Sequence, residues 1–300
     1  MNNRKKNSDA TAARAASGAP ACVPSQRAVS PPWPPAAVGD FGGNVPSRGA
    51  GAESMRLNKA VAASGLCARR KADELIFAGR VAVDGKSETN PARRVGAGEV
   101  ISVDGKPLRR KPEYAYLLLH KPVRTVCTLS DPQGRPTVMD CLPETARGLG
   151  LFPVGRLDYF SEGLLLLTND GELANRLTHP RHHVDKVYEV LVRGPVTERQ
   201  LDVMRDGMRL SDGTPLLPVE ARRIKEKREG RDTLLCLTLR QGVNRQIRRM
   251  CDDLGLTILR LRRVTQGGLR LGALKVGESR FLAPEEVQKL RNNAGPAETP

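Results

Sequence analysis

The 300-residue chain contains no run of the roughly 18 to 20 apolar residues that a membrane-spanning helix requires. Its Leu164-Leu165-Leu166-Leu167 stretch marks only a short buried strand. No secretory h-region opens the N-terminus, so export is not expected. The six cysteines (Cys22, Cys67, Cys127, Cys141, Cys236 and Cys251) are scattered without a C-x-x-C, which argues against a zinc ribbon or a disulfide framework. They read instead as small buried apolar residues of a protein in a reducing cytosol. His179, His182 and His183 cluster without a carboxylate or cysteine at ligand spacing, and no metal is expected. No internal repeat is present.

Positive charge, by contrast, is abundant: 49 Lys+Arg face 33 Asp+Glu, a formal net charge of +16. The excess is not confined to a tail, because residues 55–300 retain 43 basic against 30 acidic side chains. A polyanionic partner is implied, since each neutralised nucleic-acid phosphate releases counterions. An anionic membrane surface would reward the same charge, but no amphipathic anchor accompanies it.

Residues 1–54 are rich in Ala, Pro, Gly and Ser around Pro31-Pro32-Trp33-Pro34-Pro35 and show no sustained apolar period, so they read as a disordered extension. From Met55 the pattern orders. A short apolar face (Leu57, Val61, Ala62) and a second helix from Ala68 to Phe77 precede two short strands, Val81–Val83 and Val100–Val103. Each strand ends in an Asp-Gly turn (Asp84-Gly85 and Asp104-Gly105). Beyond the basic linker Arg109-Arg110-Lys111-Pro112, apolar strands alternate with short helices. Strands are expected at Tyr116–His120, Tyr188–Val192, Leu234–Leu239 and Leu256–Leu261.

The segment Met55–Lys86, with R-L-x-K, A-R-R-K-A and G-R-V-x-V-x-G in succession, resembles an S4 domain, a small RNA-binding module. The resemblance implies that Arg56, Lys59, Arg69, Arg70, Lys71 and Arg80 face an RNA backbone, docking it without reading its sequence. On charge alone the same residues could form a solvated helix face.

The most informative stretch is Pro153–Pro180, "PVGRLDYFSEGLLLLTNDGELANRLTHP". Locally it reads as a loop ending in Asp158, a buried strand, a turn at Asn169-Asp170-Gly171 and a helix closed by Pro180. A carboxylate in that place could simply cap a turn. The stretch resembles the central motif of the pseudouridine synthases, G-R-L-D, a short spacer, then G-L-L-L-L-T-N-D-G. Within that family it is most like the large-subunit rRNA enzymes of type B that carry an N-terminal S4 domain. Tyr159-Phe160 fill the variable spacer, and Ser161 stands where Thr is common.

The resemblance implies that Asp158 breaks the uridine N1–C1′ bond so that the base rotates and rejoins through C5. The carboxylate would act either as base on the ribose or as nucleophile. It implies that Tyr188, in "DKVYEVLVRG", packs on the target base. In "GVNRQIRRMCDDLG" (Gly242–Gly255), Asn244 is positioned to cap a helix that Gly255 ends. Ile247, Met250, Cys251 and Leu254 form one apolar face, which turns Arg245 and Arg249 towards solvent or RNA phosphate. Arg248 sits at the border, from which it can reach a carboxylate, and the resemblance gives it to Asp158. Arg156 is a further RNA-binding candidate. Arg260 and Arg262 share one strand face and either line an RNA groove or are solvated.

The expected architecture is α+β: a disordered extension at 1–54, an S4 domain with its linker at 55–112, a catalytic domain with a central, mainly antiparallel sheet at 113–292, and a tail at 293–300. The expected activity is site-specific isomerisation of uridine to pseudouridine in ribosomal RNA, 23S above all. Free RNA or an assembly intermediate is the partner, and no cofactor, ATP or membrane is required. A cytoplasmic monomer is expected, and the alternative from another class is a non-catalytic S4 protein that only docks on rRNA.

Overall fold

The computed structural model describes residues 54–96, 98–108, 114–227 and 231–295. The Ala/Pro/Gly-rich extension up to residue 53 and the linker Arg109–Pro112 lie outside the described residues.

At the N-terminal end, α1 (Leu57–Ala63) and α2 (Arg69–Phe77) pack on one another through Leu57, Val61, Ala72, Leu75 and Ile76. Buried Asn58 fixes their angle by donating to Asp73 Oδ1 at 2.6 Å. The expected strands are present, and the Asp84-Gly85 and Asp104-Gly105 turns close hairpins onto Lys86–Ser87 and Lys106–Pro107, giving a four-stranded antiparallel sheet. Both aspartates adopt positive φ, the left-handed conformation that Asp tolerates and a tight hairpin demands.

The larger unit is built on a nine-stranded sheet. Its main path uses β1 (Tyr116–Lys121), β2 (Glu162–Thr168), β3 (Lys186–Arg193), β4 (Glu220–Lys227), β5 (Asp232–Leu239), β6 (Ile258–Gln266) and β7 (Ser279–Phe281) in the order β4-β5-β3-β6-β2-β1-β7. β1 and β2 read as leucine runs because both faces are covered. Leu118, Leu164 and Leu166 enter one core with α3 (Gly171–Thr178) and α6 (Pro284–Asn293), whereas Leu117, Leu119, Leu165 and Leu167 enter another with Val138, Leu142 and Leu151. Val190 and Val192 of β3 join Leu235 and Leu237 of β5 in a third core, which buries α4 (Glu198–Asp206) and α5 (Gln246–Asp253).

The sheet is antiparallel along this path except at one seam. β6 and β2 run parallel through Arg262 opposite Glu162 and Arg263 opposite Gly163. Gly163 has φ +110°, and a Cβ there would lie 2.2 Å from the Arg263 carbonyl oxygen and 2.7 Å from its nitrogen. Only a glycine lets the two halves of the sheet meet this closely.

Two expectations need correction. The strand placed at Leu256–Leu261 runs over Ile258–Gln266 instead, because Gly255 at φ +69° still terminates the preceding helix and neighbours on both sides carry the ladder past the apolar run. Asn244 caps nothing: α5 begins at Gln246, and Arg245 is the left-handed residue that introduces it, without a side-chain cap.

Candidate active site

Asp158 closes a tight loop just ahead of β2, and the surrounding structure fixes that loop at several points. Ser161 N donates to the Asp158 carbonyl at 3.0 Å, and Arg124 N donates to the Tyr159 carbonyl at 2.6 Å. Cys127 Sγ meets both the nitrogen and the carbonyl of Leu157, at 3.3 and 3.4 Å. From beneath, the fully buried Lys121 uses its three ammonium protons on the carbonyls of Pro122, Asp158 and Ser161, at 2.9, 3.2 and 2.8 Å. Burial drives the Lys121 pKa down from 10.5 to about 8, so it stays charged at neutral pH. Burial likewise pushes the Cys127 thiol up.

The helix α5 brings Arg248 to this loop from the other side of the seam. Its Nη2 donates to the Phe160 carbonyl at 2.9 Å and to Ser161 Oγ at 3.1 Å, while Nε lies 3.5 Å from Asp158 Oδ2. Nε makes no hydrogen bond among the described residues, so the contact with Asp158 is one between charges. The Asp158 side chain is 31% exposed and therefore accessible to a ligand.

Asp158, Tyr188 and Arg248 line one cleft of about 780 Å³, of the size that holds a ligand. Tyr188 is half-buried on β3 with Arg263 directly opposite on β6, and a register shift between Val187 and Tyr188 re-aims the strand at this point. Leu239, Val243, Ile247 and Leu261 supply an apolar lining beside it.

The basic candidates divide into two groups. Arg156 and Arg245 line the cleft and are exposed. Arg249, on the next face of α5, pairs with Asp212 and faces away from the cleft lining. Arg260 and Arg262 do share a face, but each is tied to a carboxylate, Glu162 and Glu189 respectively, at 2.5 Å, rather than lining the cleft. Arg56, Lys59, Arg69, Arg70, Lys71 and Arg80 are all exposed on the small unit. Of these, Arg80 grips Asp104 with two bonds of 2.7 and 2.6 Å, and Lys71 pairs with Glu74 at 2.7 Å.

Sequence reasoning missed Lys121 and Arg263. The first lies just past the strand expected at Tyr116–His120 and carried no signal of its own. The second was legible from the alternation already noted, since a strand that puts Arg260 and Arg262 on one face puts Arg263 with Leu261 on the other. Arg263 is buried, donates through Nε to the Leu164 carbonyl at 2.8 Å across the seam and lines the cleft.

The family described as RNA pseudouridylate synthase matches residues 115–253, and that described as the S4 domain matches residues 55–101. The ribosomal large subunit pseudouridine synthase B of Bacillus subtilis (strain 168) is 38% identical over 236 residues, 79% of this chain and 95% of that protein. The chain belongs to the pseudouridine synthase family. The protein of the same description from Pseudomonas aeruginosa is also 38% identical, over 80% of this chain and 62% of the relative. A solved structure described as a pseudouridylate synthase superposes with a TM-score of 0.56 at 30% identity, covering 79% of this chain and all of that one. The α+β architecture, an S4 domain followed by a synthase domain, is thus the expected one. Asp158 is the carboxylate of the G-R-L-D motif, and it lines the cleft.

Proposed function

We propose that this enzyme isomerises a specific uridine in ribosomal RNA, that of the large subunit, acting in the cytoplasm as a monomer. The names of its relatives support the substrate, and the exposed basic helices α1 and α2 support RNA as the partner. The observation that carries the reading is the meeting of Asp158, Arg248 and Tyr188 in one cleft, with the Asp158 carbonyl held by Lys121 and by the Ser161 nitrogen.

In the proposed reaction the target base stacks on Tyr188, which offsets the cost of extruding it. Asp158 attacks C1′ or removes a ribose proton as the N1–C1′ bond breaks, and the ester is released, or the proton returned to the ribose, when C5 bonds to C1′. The freed uracil turns and rejoins through C5, while the C5 proton is lost and N1 gains one, so atoms balance without a co-reactant. Arg248 orients the carboxylate and balances its charge. Lys121 holds the loop, and Arg156 and Arg245 meet the RNA backbone at the cleft mouth. The exposed residues of the S4 domain hold the remainder of the RNA.

Pseudouridine mapping of both ribosomal RNAs, in cells with and without the protein, tests the reading. One large-subunit site should disappear and return with the wild-type chain but not with Asp158→Asn, whose amide keeps the shape and loses both base and nucleophile. An unchanged map, or rescue by Asp158→Asn, overturns it.

A further inference from the structure

Phe160 is 59% exposed two residues after Asp158. Single exposed apolar side chains are ordinary, so exposure alone says nothing. The position says more. Tyr159 and Ser161, its neighbours on either side, line the cleft, and the Phe160 ring packs against that of Tyr159.

The ring is also held ready. Arg248 fixes the Phe160 carbonyl at 2.9 Å, Arg124 fixes that of Tyr159, and the Tyr159 and Phe160 rings meet edge to face with centroids 5.0 Å apart. A ring so constrained loses little freedom when a ligand covers it. Exposed Arg124, Arg156 and Arg245 surround the same loop and helix start. An apolar π-face beside exposed guanidinium groups matches a nucleobase joined to phosphates, and matches a protein surface or a lipid less well. A Phe ring has no donor or acceptor, so it stacks without reading sequence.

Resting on the assignment of Asp158 to the target uridine, we propose that Phe160 stacks on a nucleobase that flanks the target uridine in the same RNA. Extrusion of the target strips that neighbour of a stacking partner. The Phe160 face replaces it and holds the RNA open over the cleft. The Tyr159-Phe160 spacer thereby acts on the substrate, and Phe160 is a binding residue rather than part of the bond-breaking apparatus.

The test compares wild type with Phe160→Ala, Phe160→Leu and Phe160→Trp on a 23S rRNA transcript carrying 5-tritiated uridine. Tritium release and filter-binding affinity are both measured across a salt series. Ala and Leu should lose about fivefold to a hundredfold in affinity, the range of one base–aromatic stack, while Trp retains it. The slope of log K against log salt should be unchanged, because the phosphates keep all their basic partners. Thermal unfolding, which reports on the loop that Arg248 ties down by backbone, should not move. Unaltered affinity in Ala, full recovery in Leu, or a flattened salt slope each overturns the proposal. An inactive wild type would strike the assignment of Asp158, whereas the binding data decide the role of Phe160 in either case.

Discussion

Arg248→Ala is the sharpest probe of the site, because Arg248 joins the two halves of the cleft. Its Nε stands 3.5 Å from Asp158 Oδ2, and Nη2 holds Phe160 and Ser161 of the same loop. At that separation an effective dielectric of about 20 gives roughly 5 kcal/mol of attraction. Asp158 is 31% exposed and Arg248 16%, so solvent screens part of this and about 3 kcal/mol is the better figure. Asp158 would also lose its orientation as the loop loses two hydrogen bonds. The expected result is a fall in kcat on the order of a hundredfold, from that 3 kcal/mol in the barrier. Arg248→Lys should recover little, because an ammonium cannot span both the carboxylate and the Phe160 carbonyl. Single-turnover tritium release from 5-tritiated uridine transcripts, with enzyme in excess, reads the step directly. A kcat within about threefold of wild type, in a variant that still folds and binds RNA, refutes the reasoning.

Tyr188→Phe keeps the stacking face and should be mild in the same assay, whereas Tyr188→Ala should be severe. Equal severe losses would give the hydroxyl a chemical role instead. Lys121 yields a pH prediction: its pKa is about 8 folded against 10.5 unfolded, so between these values the unfolded chain binds more protons and stability rises with pH. Urea midpoints should show a gain of up to about 3 kcal/mol from pH 8 to 10.5 that Lys121→Met lacks, and parallel pH curves would contradict it. Deleting residues 55–102 should flatten the salt dependence of RNA binding by roughly 0.7 to 0.9 for every phosphate that the S4 domain neutralises, and an unaltered slope would mean that the basic helices do not touch RNA.

Much of the site was readable where chemistry and local geometry coincide. The apolar face of α5, Ile247, Met250 and Cys251, placed Arg248 at its border, and that is where the arginine reaches Asp158. The leucine run of β2 marked a central strand for the same reason: local pattern and burial agree. Reading failed where partners lie far apart in the chain. Lys121 is buried because it serves carbonyls 37 and 40 residues away, which nothing near it in sequence discloses. Arg260 and Arg262 looked available to RNA, but Glu162 and Glu189, one on each flanking strand, claim them. β6 outran its apolar stretch because β2 pairs with Arg262 and Arg263 and β3 carries the ladder on to Gln266 across a register shift.

Gly163 permits a seam with a consequence for how the enzyme fails. Asp158 and Lys121 belong to one half of the sheet, while Tyr188 and Arg248 belong to the other. The halves meet through two registered backbone pairs, the Arg260–Glu162 ion pair and the Arg263 bond to the Leu164 carbonyl, and the core of Leu118, Leu164 and Leu166 reaches across to Leu269 beside β6. The joint is therefore the shortest ladder in the path that the chemistry must cross. Slippage of an ångström there would part the carboxylate from its arginine. The catalytic geometry therefore depends on the joint with the fewest ladder pairs, so gentle heating should lower activity before the long ladders on either side of it melt.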